Sequence, residues 1–158
     1  MEQSQSNVRK FSFGGTRITE IPDIDTLSVK AFSSAYVSCK ALTNVNLSNY
    51  DFSSLKNTSP NGSSWLFSGG FDSMFRLCTE LLTFSLGHTY VSDNGIYVRE
   101  MFRDDTKLKT VDMGILSDTS GRVISFSQTF YNCSALESFS ISYTGTIWLG
   151  STFYGCSS

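Results

Sequence analysis

A five-residue phrase keeps returning along this chain, and its return decides what the chain can fold into. A small or apolar residue, an aromatic, two variable positions and Cys recur as Ala35-Tyr36-Val37-Ser38-Cys39, Met74-Phe75-Arg76-Leu77-Cys78, Thr129-Phe130-Tyr131-Asn132-Cys133 and Thr152-Phe153-Tyr154-Gly155-Cys156. A fifth copy, Met101-Phe102-Arg103-Asp104-Asp105, carries Asp in the Cys place. The anchors Cys39, Cys78, Asp105, Cys133 and Cys156 lie 39, 27, 28 and 23 residues apart, so the shortest unit is 23 residues and the others carry insertions.

The register extends to both sides of the phrase. Leu42, Leu81, Leu108 and Leu136 stand three residues after their anchors, Val45, Phe84, Val111 and Phe139 six after, and Leu47, Leu86, Met113 and Ile141 eight after. Seven before each anchor stands Phe32, Phe71, Val98, Phe126 or Leu149. Apolar positions two apart fit a strand with one buried face, and the phrase before the anchor fits a tight helical or 3₁₀ turn. One strand and one turn cannot bury an apolar face alone. The expected fold is therefore a repeat solenoid, mainly β, of stacked short parallel strands joined by helical or 3₁₀ turns.

The phrase A/M-F-x-x-C-x-x-L-x-x-φ-x-φ, where φ is apolar, resembles the BspA-type leucine-rich repeats of bacterial surface proteins. The resemblance runs over about residues 17 to 156 in five copies. It implies a leucine-rich-repeat-like fold, an extracellular or cell-surface location, and adhesion or partner binding without catalysis, through whatever residues the scaffold exposes. The chain departs from the family in its uneven spacing and in Asp105 at a Cys position.

Around the repeats, residues 1–10 read as a polar N-terminal arm and 11–27 as a degenerate cap rung, with Ile18 and Ile21 in strand-like apolar positions and Pro22-Asp23 closing it. The solenoid is expected over 28–158, with an insertion loop over 52–70 and an incomplete final rung that would pack on another chain, on a second copy or on a continuation. Ser, Asn, Pro and Gly fill the insertion, and Trp65 near its end is a candidate recognition residue. The opening is polar where an export signal would be apolar. That raises the alternative of a phage virion or assembly component, located on the virion surface.

Twelve Lys and Arg against 14 Asp and Glu give a net charge of −2, which offers no footprint for nucleic acid. No apolar run approaches the roughly 18 residues of a membrane span. Charged residues make up only 16% of the chain; 28 Ser and 15 Thr supply its polarity instead. In a stack, the four Cys form a buried column of free thiols rather than disulfides. Metal-ligand spacings such as C-x₂-C are missing, His88 is the only histidine, and no nucleophile-elbow or phosphate-loop phrase occurs. The expectation is a non-enzyme without cofactor.

What remains for function is the outward side of the strands. Positions four, five and seven after the anchors are Thr43, Asn44 and Asn46; Leu82, Thr83 and Ser85; Lys109, Thr110 and Asp112; and Glu137, Ser138 and Ser140. The polar ones among them are the candidate surface for a protein or glycan ligand.

Overall fold

The computed structural model describes residues 12–55, 70–93 and 95–157. Eight strands form in the order β1 (Asn44–Asn46), β2 (Thr83–Ser85), β3 (Thr89–Ser92), β4 (Ile96–Tyr97), β5 (Thr110–Asp118), β6 (Val123–Ser125), β7 (Ser138–Thr144) and β8 (Thr146–Trp148). Every pairing between them is parallel. The class is mainly β.

In the larger sheet, β1, β2, the first part of β5 and the first part of β7 lie side by side, with Val45, Phe84, Val111 and Phe139 in one register. This is the position six after each anchor, and it points inward in all four strands. Further along, β3 pairs with the second part of β5, which pairs with the second part of β7. β5 bends where its register shifts, between Asp112 and Ile115. The corresponding bend after β2 breaks the strand at Leu86–His88, so β2 and β3 together match what β5 makes as one element. A smaller sheet of β4, β6 and β8 follows the insertions of the later units.

The segments before the anchors depart from the expected helical or 3₁₀ turn. Among the described residues there is no helix of either kind. Two residues in every copy adopt left-handed backbone instead, five and one before the anchor: Ser34 and Ser38, Ser73 and Leu77, Glu100 and Asp104, Gln128 and Asn132, Ser151 and Gly155. All nine non-glycine residues with positive φ among the described residues fall in these places. Each left-handed residue flips the peptide direction, so a 3₁₀ ladder cannot propagate.

The resulting hydrogen bonds alternate. Within the first copy, Ala35, Val37 and Cys39 N–H groups donate three residues back, to the Phe32, Ser34 and Tyr36 carbonyls. The intervening N–H groups of Phe32, Ser34, Tyr36 and Ser38 donate sideways, to Gly70, Asp72, Met74 and Arg76 of the next copy at 2.8–3.1 Å. The same four bonds join the second copy to the third, the third to the fourth and the fourth to the fifth. From five before the anchor to the anchor itself, every backbone donor of the first four copies is thereby used. Left-handed residues cost about 1–2 kcal/mol each, and the paired backbone they permit offsets that cost.

At the other end of the stack, Phe13-Gly14-Gly15-Thr16 forms a shortened copy of the turn. Phe13 N–H donates to Ala35, Gly15 N–H to Val37, and Thr16 N–H back to Phe13. Ile18, Ile21 and Ile24 pack against the core behind it without forming a strand.

The interior is arranged in columns. The aromatic ring three before each anchor stacks on the next: Phe13, Tyr36, Phe75, Phe102, Phe130 and Phe153 have successive centroid separations of 5.5, 5.3, 5.9, 5.6 and 5.4 Å and nearly parallel planes. The leucines three after the anchors and the residues eight after complete a dry core in the first three strand-bearing units. At the anchors, all four thiols are free. Each donates to the ring-bearing residue of the preceding copy: Cys39 to the Phe13 carbonyl, Cys78 to Tyr36, Cys133 to Phe102 and Cys156 to Phe130, at 2.9–3.2 Å.

Asp105 occupies the thiol place in this column and is fully buried. Its Oδ1 accepts the Cys78 N–H at 2.7 Å, while its Oδ2 has no partner. Burial, reinforced by the neighbouring Asp104 carboxylate, holds the Asp105 carboxyl well above its ordinary range. A carboxyl that keeps its proton only when folded makes the fold less stable as pH climbs above the ordinary value of 3.8. Asp105→Cys restores the thiol and removes the unpaired oxygen. It is expected to stabilise the protein by about 1–3 kcal/mol at neutral pH, with a gain that shrinks toward pH 4. Thermal unfolding of both proteins across that range checks this; a gain independent of pH would contradict it.

Candidate functional site

The parallel register turns the outward strand positions into two ladders. Asn44, Thr83, Thr110 and Ser138 make one, and Asn46, Ser85, Asp112 and Ser140 the other, with neighbours about 4.8 Å apart across the strands. They border a shallow groove of about 440 Å³. The structure brings these eight candidate residues into one patch. Asn44, Asn46, Thr110, Asp112, Ser138 and Ser140 are exposed, while Thr83 and Ser85, in the second unit, are half-buried.

Hydrogen bonds fix part of the patch. Thr83 Oγ1 donates to Asn44 Oδ1 at 2.7 Å, and Ser140 Oγ donates to Asp112 Oδ1 at 3.0 Å. Asn46 and Asp112, at equivalent positions, each accept the N–H two residues on, from Ser48 and Gly114. Those side chains therefore cap the strand bend as well as facing solvent. Thr83, Ser138 and Ser140 keep hydroxyl lone pairs toward solvent, and Asp112 is the one formal charge in the two ladders.

Thr43, Lys109 and Glu137 lie at the rim, one residue before the ladders. Thr43 accepts from Asn44 Nδ2 at 3.3 Å, and Lys109 pairs with Glu137 at 3.1 Å. This ion pair is more than half exposed, so it adds little stability. Leu82, the fourth rim position, is half-buried. Trp65 lies outside the described residues.

Burial pushes the Cys78 and Cys133 thiols far up, and Asp105 pushes in the same direction, which keeps both protonated and unreactive. His88 Nε2 donates to the Leu47 carbonyl at 2.8 Å, and the ring meets Phe52 edge-on at 5.7 Å. That histidine ties the bend after β2 to the first unit. Among the described residues no three His, Cys, Asp or Glu side chains are grouped to hold a metal ion. No described helix is long and apolar enough to cross a membrane.

Two features lie outside the sequence reading. A groove of about 620 Å³ runs between residues 48–53 and 88–91, beside Asp51 and His88. It is built from segments beyond the eighth position after the anchor, where bends of unequal length break the spacing between units, so no repeat position signals it. The turn side carries a band of ion pairs: Asp72 takes two Arg99 guanidinium bonds at 2.6 and 3.2 Å, Arg76 meets Glu100 at 3.0 Å, and Arg103 lies over the Tyr131 ring at 4.7 Å. The signal for it is the Arg two before the anchor in the second and third copies, which stacking places on one edge. No protein-family model matches the chain, and no curated protein and no solved structure matches it.

Proposed function

We propose that this chain is a leucine-rich-repeat-like solenoid of the BspA type that serves as a non-enzymatic recognition module, binding a protein or glycan ligand through its strand face. One observation carries the reading: eight small side chains, seven uncharged and one carboxylate, aligned in two in-register ladders over a groove. Many modest hydrogen bonds from a preorganised surface suit a hydroxyl-rich or backbone-rich ligand better than a phosphate polyanion. On this reading the protein works outside the cell or on a cell surface, and it needs no cofactor.

A second reading, an assembly component such as a virion part, draws on the apolar residues exposed in the last unit. Trp148, Leu149, Phe153 and Tyr154 are 43–62% exposed and contiguous in sequence or in the turn. This surface is independent of the ladders.

The test of the first reading is a glycan array and a panel of matrix proteins probed with the folded chain and with Thr110→Arg/Ser138→Arg. Binding to at least one ligand, weakened about tenfold or more by the double variant, a loss of roughly 1.4 kcal/mol, is the expected result. A blank panel, or binding that ignores the double variant, defeats the strand-face reading.

A further inference from the structure

The four sideways bonds between successive turns give each end of the stack a chemical polarity. Each copy donates N–H groups toward the next and receives on its carbonyls from the one before. In the fifth copy the N–H groups in the donating positions are those of Leu149, Ser151, Phe153 and Gly155, and none of them has an acceptor among the described residues. Around them the Leu149, Phe153 and Tyr154 side chains are 48%, 43% and 62% exposed, although the equivalent Phe130 is fully buried under its successor. This face is a row of donors set in apolar surface, and whatever covers it must bring carbonyls at the same spacing.

The opposite end is a row of acceptors. The shortened turn Phe13–Thr16 donates inward through Phe13 and Gly15, so its outward groups are the Ser12 and Gly14 carbonyls. By position these correspond to the carbonyls four and two before an anchor, which in every internal junction receive the N–H groups three and one before the previous anchor. Among the described residues neither Ser12 nor Gly14 carbonyl accepts a backbone hydrogen bond. Two fifth copies face to face would oppose donors to donors. A fifth copy against the Ser12–Gly14 end opposes donors to acceptors in the register the fold already uses.

We propose that a second copy of this chain docks head to tail on the first, the Phe153 and Gly155 N–H groups of one molecule donating to the Ser12 and Gly14 carbonyls of the next. Such an interface is heterologous, because each molecule uses a different face. Without ring closure it leaves one donor end and one acceptor end free after every addition, so association continues past the dimer. The proposal stands apart from ligand binding by the ladders, which lie on the strand side.

Sedimentation equilibrium of the full chain over a wide concentration range tests it. The expected result is a mass that climbs beyond the dimer without a plateau. Phe153→Asp blocks the donor end and Ser12→Arg the acceptor end; each variant alone is expected to be at least tenfold weaker in self-association. Mixed, the two supply one intact face each and form a one-to-one dimer that grows no further. Leu149→Asp replaces Phe153→Asp if that variant unfolds, as judged by its thermal transition. A strictly monomeric chain overturns the proposal, as does a dimer that Ser12→Arg leaves untouched, since that result means two identical faces meet.

Discussion

Phe102→Ala is expected to destabilise the protein by about 3–5 kcal/mol, the largest loss from any single side-chain truncation in the column. Phe102 is fully buried and sits between the Phe75 and Phe130 rings at 5.9 and 5.6 Å, with Phe84 meeting it edge-on at 4.8 Å. Truncation removes contacts on three sides. The cavity cannot close easily, because the Phe102 and Asp104 N–H groups and the carbonyls of Met101 and Arg103 fix the turn against both neighbours. For a chain of this size each kcal/mol lowers the unfolding temperature by about 2–4 °C. The comparison variant is Phe153→Ala, whose ring stacks on one side only and is 43% exposed. It is expected to cost less than half as much. Thermal unfolding followed by circular dichroism compares the two, and equal losses would contradict a column whose inner members carry the load.

Gly114→Ala is the second large effect, expected at about 2–5 kcal/mol from overpacking together with left-handed strain. The strand β5 turns at Gly114 with φ of +58°, and a Cβ there would run into the His88 carbonyl oxygen. That carbonyl cannot retreat, because it accepts the Ile115 N–H at 3.2 Å and so holds the bend of β5 against the bend after β2. A substitution at Gly121, which also has positive φ but open space around it, carries the strain without the collision. Gly121→Ala is therefore expected to cost about 1–2 kcal/mol. Chemical denaturation of both variants gives the ranking, and a Gly114 variant as stable as the Gly121 variant would mean the two bends are not locked together.

How far the sequence can be read depends on which positions the repeat constrains. The apolar residues three, six and eight after each anchor were placed by period alone, and Val45, Phe84 and Val111 do share one register and face the interior. The outward ladders follow from the same alternation, since a parallel pairing in that register brings Asn44 beside Thr83 and Thr110 beside Ser138. The turn departs from the helical or 3₁₀ expectation for a physical reason. Ser34, Ser73, Glu100, Gln128 and Ser151 look like ordinary variable positions, yet all five are left-handed. Glycine or asparagine usually marks such backbone, and here only Asn132 and Gly155 among the ten residues do so. The inter-copy hydrogen bonds, which no side chain reveals, hold the others there. Likewise β3 follows a bend whose length differs from unit to unit, so no fixed spacing announces it, whereas Ile96, Ile124 and Ile147 of β4, β6 and β8 each stand nine before an anchor, a recurrence limited to the last three units. Asp105 was legible as a break in the Cys column, but its unpaired oxygen depends on packing that only the stacked copies create.

The central claim is that successive turns are joined sideways by alternate N–H groups and that the fifth copy leaves its own set open. Residue-resolved amide hydrogen exchange on dilute, monomeric protein tests this most directly. The account predicts strong protection for Phe75, Leu77, Phe102, Asp104, Phe130 and Asn132, and fast exchange at Phe153 and Gly155. Fast exchange at Phe102 and Asp104, or protection of Phe153 and Gly155 equal to that of Phe130 and Asn132, would contradict it.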